Sequence, residues 1–263
     1  MRILGILNIT DDSFSDGGKF LAPDAAVAHA QALAADGADI IDIGAASSNP
    51  QAAPVPPQTE IARLAAVLPR LNGLPLSIDT FSTPVQRWAL GQGVDYLNDI
   101  HGFADPALYP ELARATCKLI VMHMVQERGV AVRTDVPPSE IFGRVTAFFD
   151  ARIAALEQAG VARDRLILDP GMGQFVGTDP ENSLILLRRI PELKARYGLP
   201  VLISVSRKGF LRRMVNRPAM QAGAASLAAE LFAEANGADH IRTHAPGALR
   251  DGLKVLKSIG KAH

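Results

Sequence analysis

The chain has 263 residues, with 27 basic and 27 acidic side chains, 48% apolar residues and 21% charged ones. That balance excludes a disordered chain and a coiled coil, and it lacks the basic footprint of a general nucleic-acid binder. The single cysteine, Cys117, excludes an internal disulfide and a multi-thiolate zinc site.

No run of about 18 apolar residues exists, so no membrane span is expected. Met1–Thr10 turns polar after one short apolar stretch, which reads as a first strand rather than a secretory signal. The expectation is a soluble, cytoplasmic protein forming one domain over residues 1–263. In chain order, strands are predicted at Ile3–Leu7, Asp39–Ile43, Leu76–Ile78, Val94–Leu97, Leu119–Met122, Leu166–Leu168, Val201–Val205 and His240–Ile241. Between them the apolar spacing predicts helices over Pro23–Asp36, Gln58–Leu71, Pro84–Leu90, Ser139–Ala159, Pro180–Tyr197 and Ala222–Asn236, and a last one over Pro246–Ile259. Ala35-Asp-Gly-Ala-Asp39 and Ala235-Asn-Gly-Ala-Asp239 repeat one helix-to-strand turn, with Gly37 and Gly237 as its C-terminal caps.

Strand–helix alternation implies parallel strands joined by crossovers. Eight units fit an α/β fold of the (β/α)8 TIM-barrel type, which closes at around 250 residues. A doubly wound sheet would want a glycine-rich phosphate turn after the first strand, and Leu7-Asn-Ile-Thr-Asp-Asp-Ser-Phe14 is not one. The Gly44–Gln58 stretch, free of charged residues, is expected to be a lid.

Chemistry in such a barrel gathers where strands end. The first polar side chains there are Asn8, Asp42, Asp79, Asn98 with Asp99, His123, Asp169, Ser206-Arg207-Lys208, and Arg242 with His244. Asp79, Asn98 and Asp169 offer acceptors and an amide suited to a flat, donor-rich heterocycle. Asn8, Arg242, His244 and Lys208 suit an anion, and the last two strands are where such barrels most often bind phosphate. A substrate joining a polar ring to a phosphate or diphosphate follows. No phosphate loop, zinc signature or nucleophile elbow is present. Cys117 is expected to be inert and Trp88 to be core, while His29, His101 and Arg212, Arg213 and Arg217 are expected in solvent.

Gly5-Ile-Leu-Asn-Ile-Thr10, Asp39-Ile-Ile-Asp-Ile-Gly44, Ser77-Ile-Asp-Thr80, Leu97-Asn-Asp-Ile100, Leu168-Asp-Pro-Gly-Met-Gly173, Ser206-Arg-Lys208 and Ile241-Arg-Thr-His244, in that order, resemble the dihydropteroate synthase family over essentially the whole chain. Ala45-Ala-Ser-Ser-Asn-Pro50 and Arg242-Thr-His-Ala-Pro-Gly247 are most similar to its sulfonamide-insensitive branch. The resemblance implies condensation of 6-hydroxymethyl-7,8-dihydropterin diphosphate with 4-aminobenzoate to 7,8-dihydropteroate and pyrophosphate, in a homodimer. It places the pterin on Asp79, Asn98, Asp169 and Lys208 with Arg242 stacked on its face. The diphosphate falls near Asn8, Arg242 and His244, with Mg2+ at Asn8. Ser48 stands where the family has Thr, and the helix start at Gly209 would receive the aminobenzoate carboxylate. The second loop lacks the family's Glu and Arg (Ala46, Asn49), and Gln174-Phe175 replaces its Phe, so Phe175 is expected to discriminate against sulfonamides. Two rivals are a methyl-folate barrel serving a corrinoid protein, which would not need the diphosphate clamp, and a non-catalytic paralogue.

Overall fold

A computed structural model describes residues 1–10, 22–47, 53–126 and 134–260. Eight strands follow one another: β1 Arg2–Asn8, β2 Ile40–Gly44, β3 Leu76–Asp79, β4 Tyr96–Asp99, β5 Lys118–Met122, β6 Leu166–Asp169, β7 Leu202–Ile203 and β8 His240–Thr243. All their pairings are parallel, in the order β6-β5-β4-β3-β2-β1-β8-β7. One parallel bridge, Leu168 to Val201, joins the two ends, with the Leu168 N–H donating to Pro200 C=O at 2.9 Å. The sheet is therefore the expected (β/α)8 barrel, nearly closed.

The period of two divides the strand residues. Leu4, Ile40, Ile120, Ile167 and Leu202 form a small cluster of their own with Tyr96, which fills the barrel. Their neighbours Ile3, Ile41, Leu119, Leu166, Leu168, Val201 and Ile203 belong to the larger core between sheet and helices. Inward positions one step further along, Asp42, Asp79, Asn98, Asp169 and Arg242, carry the polar residues.

The helices are α1 Pro23–Ala35, α2 Pro57–Val67, α3 Thr83–Gly91, α4 Tyr109–Arg114, α5 Pro138–Gln158, α6 Pro180–Arg188, α7 Ile190–Tyr197, α8 Gly209–Val215, α9 Gly223–Ala235 and α10 Pro246–Gly260. The repeated turns are Schellman caps. Gly37 and Gly237, at φ +99° and +93°, stand one residue past the cap. Ala38 and Ala238 N–H reach back to Leu33 and Ala233 C=O. Each turn is clamped alike: Arg250 binds Gly37 C=O and Asp39, and Lys194 binds Gly237 C=O and Asp239.

Three expectations need correction. The helix predicted over Pro180–Tyr197 breaks at Arg189 (φ −102°, ψ 15°), because Pro191 has no N–H to continue the ladder. Strand Val201–Val205 shortens to Leu202–Ile203, since its pairing with β6 lasts for one bridge. A six-residue helix, α4, stands where none was expected, being too short to display a period.

Candidate active site

The strand-end residues meet at one rim. Arg242 lies at its centre, its side chain 14% exposed, donating from Nε to Asp42 Oδ2 at 2.5 Å and from Nη2 to Asp79 Oδ2 at 2.8 Å. Asp42 is fully buried and also accepts from Ser77 Oγ at 2.5 Å and, at 3.5 Å, from Asn98 Nδ2. The oxygen of the same amide, Asn98 Oδ1, is buried with no hydrogen-bond partner. Such an acceptor is costly unless a ligand donor completes it. Asp169, at the end of β6, accepts from Gly171 N–H at 2.8 Å. Asn8, half-buried at the end of β1, sits across Gly44 from Asp79. A Cβ on that glycine would stand 3.6 Å from Asn8 Oδ1 and 3.9 Å from Asp79 Cβ.

Burial governs the charges. It raises Asp79 to about 7, with Arg242 opposing and Asp42 adding to the shift. It raises Asp169 to about 6 against the Gly171 N–H and Lys208. Lys208 is lowered to about 8 by desolvation and by Arg242, although Asp169 and Asp79 pull the other way. Burial also works against the Arg242 cation, but Asp42 and Asp79 more than compensate and its affinity for the proton rises. His244 is held neutral by burial and by the cations Arg207, Arg242 and Lys208.

Lys208 is the N-cap of α8 and follows Arg207, whose φ of +57° is held by its N–H donating to Ser226 Oγ at 2.9 Å. Lys208 Nζ lies 4.6 Å above the Phe175 ring. Phe175 packs with Ile100, Met122, Met124 and Phe81 into an apolar wall beside the polar cluster. Gly209 opens α8, which has only seven residues, so its own N–H and the neighbouring cations supply more positive character there than a helix dipole does. Ser48 lies outside the described residues, as does most of Thr10–Phe20 and the middle of the second loop.

Arg242 is not the free anion clamp expected of it: two carboxylates hold its Nε and Nη2. Both bonds lie in the guanidinium plane, which leaves its faces for a flat ring. His123 takes its plainer reading, with Nδ1 3.1 Å from Pro170 C=O, its ring against Phe148, and its pKa lowered to about 4 by burial. Cys117 is buried and its thiol pKa raised by desolvation, and Trp88 packs on the core. Two histidines expected in solvent are half-buried: His29 near enough to His244 to influence its charge, and His101 with its ring 5.0 Å from that of Phe81. Asp42 and Ser206, which the sequence places at the rim without a role, are joined in the site by Ser77 and Thr243, which it does not single out. For Asp42 the signal is present: a carboxylate at an inward position between Ile41 and Ile43.

Among the described residues no group of three or more His, Cys, Asp or Glu could cage a metal, and no helix is long and apolar enough to cross a membrane.

A family model described as pterin binding enzyme matches residues 4–244. Dihydropteroate synthase type-2 of Escherichia coli is 58% identical over 259 residues, covering 98% of this chain and 95% of its own length. The type-1 enzyme of Pseudomonas aeruginosa is 49% identical over 264 residues, covering 99% and 95%. Among solved structures, Xanthomonas albilineans dihydropteroate synthase with 4-aminobenzoic acid superposes with a TM-score of 0.87 at 36% identity, over all of this chain and 94% of that one. The Yersinia pestis enzyme in a sulfonamide drug complex gives 0.89 at 31% identity, over 99% and 94%.

Proposed function

The chain belongs to the pterin-binding enzymes, and among them to the dihydropteroate synthases of folate biosynthesis, and from that premise we propose how its residues divide the reaction. The pterin ring lies in the plane of Asp79, Asn98 and Asp169, with Lys208 at its edge and a face of Arg242 stacked on it. The unpartnered Asn98 Oδ1 is the observation that carries this reading: it is a buried acceptor awaiting a ring donor. The methyl C–O bond breaks ahead of attack, because the amine of 4-aminobenzoate is a weak nucleophile. Positive charge then grows on the pterin methylene, where Asp79 and Asp169 face it. The departing diphosphate is held by Asn8 and His244, with Lys208 and Arg207 nearby.

Mg2+ fits only as a companion of the diphosphate. Asn8 Oδ1 is one hard oxygen beside Gly44, and this cation usually takes one or two protein oxygens, substrate phosphates and water. Bound there, it would neutralise the leaving group.

The carboxylate of 4-aminobenzoate is placed at Gly209 N–H beside Lys208. Phe175 walls that side, which is the ground for proposing that it helps to exclude bulkier sulfonamides. Ser48 is assigned to the same substrate on resemblance alone. A homodimer is supported by exposed apolar side chains on neighbouring helices, Met214 and Val215 of α8, Phe232 of α9 and Val255, Leu256 and Ile259 of α10. A cytoplasmic site of action suits the substrates and the lone buried thiol.

The test is pyrophosphate release from dihydropterin diphosphate, 4-aminobenzoate and Mg2+. Asn98→Ala should raise KM for the pterin substrate about tenfold or more, the loss of a hydrogen bond in a desolvated site. An unchanged KM rejects the ring placement.

A further inference from the structure

Helix α6 starts from its N-cap Asp179, whose carboxylate accepts Glu181 N–H at 2.8 Å, and its first turn carries two consecutive polar residues, Asn182 and Ser183. Both are fully buried. The reaction as described uses neither, yet both reach the single 3-10 turn Gly173–Val176 that carries Phe175. Gly173 N–H donates to Ser183 Oγ at 2.9 Å. Asn182 Nδ2 donates to Val176 C=O at 2.8 Å and to Val136 C=O, just ahead of α5, at 3.0 Å. Side chains of one helix thus pin the first and last residues of the turn. Between those pins, Phe175 C=O accepts Val125 N–H at 2.9 Å.

One helical turn fixes several dihedrals for few hydrogen bonds, so its place is set by what surrounds it. No side chain caps the start of this turn, and it ends at Gly177, φ +112°. A Cβ on Gly177 would stand 2.9 Å from Asn182 Nδ2, so the amide lies directly against the backbone as it leaves the turn. Chemistry sets the orientation of that amide: both its partners are carbonyl oxygens, which only the NH2 can serve. Asn182 Oδ1 is left buried, with no partner among the described residues. That unpaired oxygen offsets much of what the two bonds contribute to stability, and what the amide secures is a position. At the other end, Gly173 backs onto Lys208, where a Cβ would stand 3.6 Å from Lys208 Cδ. The Phe175 ring lies 4.6 Å below Lys208 Nζ and packs with Met122 and Met124. Displacing the turn therefore displaces the ring from the lysine and from the apolar wall.

We infer that Asn182 and Ser183 are positioning residues for the choice of second substrate: by holding both ends of the Gly173–Val176 turn, they keep the Phe175 ring against Lys208, where it narrows the entry for molecules bulkier than 4-aminobenzoate. The inference rests on the proposed reading of Phe175 as the wall on that side, and it names what fixes the wall. A flat carboxylate fits the room that the pinned ring leaves, whereas a sulfonamide has to move the ring. Moving it strains both anchoring bonds. The pterin side is held separately, because Asp79, Asn98 and Asp169 stand on the strands β3, β4 and β6.

The test reads the ratio of a sulfonamide's inhibition constant to KM for 4-aminobenzoate in the pyrophosphate-release assay. Asn182→Ala should lower that ratio about fivefold, one hydrogen bond's worth, with kcat and KM for the dihydropterin diphosphate within about twofold of wild type. A merely structural contact would lower the melting temperature and leave the ratio alone. In a Phe175→Ala background the same substitution should change the ratio by less than about twofold, because its effect passes through that ring. Methionine 13C-methyl spectra follow the ring itself. Asn182→Ala should carry the Met122 and Met124 methyl resonances part of the way to their positions in Phe175→Ala. Should the alanine at 182 not fold, Ser183→Ala frees the other end of the turn and must shift the ratio and the methyls in the same direction. An unaltered ratio, unmoved methyls, or an equal effect in the absence of Phe175 overturns the inference. Phe175→Ala with unaltered sulfonamide inhibition would instead reject the reading of Phe175 and the selectivity with it, while the methyl shifts still decide whether the pair holds the ring.

Discussion

Replacing Asp42 by Asn tests the centre of the site without touching a group proposed to meet substrate. Asp42 gives Arg242 one of its two carboxylates and also accepts from Ser77 and Asn98. An asparagine has one oxygen to offer where the carboxylate had two. If that oxygen serves Arg242, its NH2 faces Ser77, which can rotate to accept, and the NH2 of Asn98, which cannot. Asn98 must then turn its own oxygen inward, losing the acceptor aimed at the pterin. Removing one partner of a buried ion pair costs about 3–5 kcal/mol, and the lower end applies because Asp79 still holds Nη2. At roughly 2–4 °C per kcal/mol for a chain of this size, the melting temperature should fall by about 6–12 °C. With Asn98 reversed and Arg242 loosened, kcat/KM for the pterin substrate should drop about tenfold to a hundredfold, the range for one hydrogen bond to a charged group. Thermal unfolding followed by circular dichroism and the pyrophosphate-release assay give the two numbers. A melting temperature within about 2 °C of wild type and kcat/KM within about twofold would refute the view that Asp42 positions both residues.

Activity should be confined on both sides of neutrality. As pH falls below about 6, Asp169 gains its proton and Asp79, already raised, is protonated, while above about 8 Lys208 loses its charge. The pH profile of kcat/KM should be bell-shaped, and Lys208→Arg should extend its alkaline limb; a flat profile from pH 5 to 9.5 (roughly the span between ordinary carboxylate and lysine values) would contradict the assigned environments. Phe175→Ala should lower the inhibition constant of a sulfonamide by about 5- to 150-fold, the span of 1–3 kcal/mol from one steric contact, with little change in KM for 4-aminobenzoate. Unchanged inhibition ends that idea. Glu230 has a folded pKa raised above its unfolded value of 4.5 to about 7, so its stabilising effect is complete below 4.5 and lost as pH rises through 7. The difference in unfolding free energy between Glu230→Gln and wild type should therefore move in the variant's favour by a few kcal/mol between about pH 4.5 and 8, at about 1.4 kcal/mol for each pH unit that separates the folded from the unfolded pKa. A difference independent of pH means the carboxyl is not burdened by burial.

The barrel was legible because parallel strands buried on both faces read as short apolar runs, and because their return helices carry a clean period. The rim was legible for a related reason: in a closed barrel the position after each apolar run points inward at the same end, so Asp79, Asn98, Asp169 and Arg242 could be placed together without coordinates. Helix boundaries failed where a local rule outweighed the pattern, as Pro191 did in dividing α6 from α7. Partnerships were not legible. Arg242 and Asp42 stand 200 positions apart, and no periodicity says that a cation suited to phosphate will be turned into the barrel by two carboxylates. The carboxyl of Glu230 left a fainter mark, an acid on the buried stripe of an otherwise alanine-rich helix, four residues after Ser226.

The clamp on Arg242 also accounts for how one rim can accept opposite charges. Three carboxylates, Asp42, Asp79 and Asp169, face two cations, Arg242 and Lys208, so the buried cluster is one negative charge in excess when all are ionised. On the proposed placement, a pterin methylene that gains positive charge meets that excess through Asp79 of β3 and Asp169 of β6. The departing diphosphate is assigned to the other side of the ring, where Asn8 of β1, Arg207 after β7 and His244 after β8 bring donors. Because Arg242 is tied into the negative group, it cannot follow the leaving group outward, and the field across the breaking C–O bond keeps its direction as the bond lengthens. Strand ends set this separation, and a packed barrel reorganises little during reaction, which is what electrostatic stabilisation of a charge-separated transition state requires.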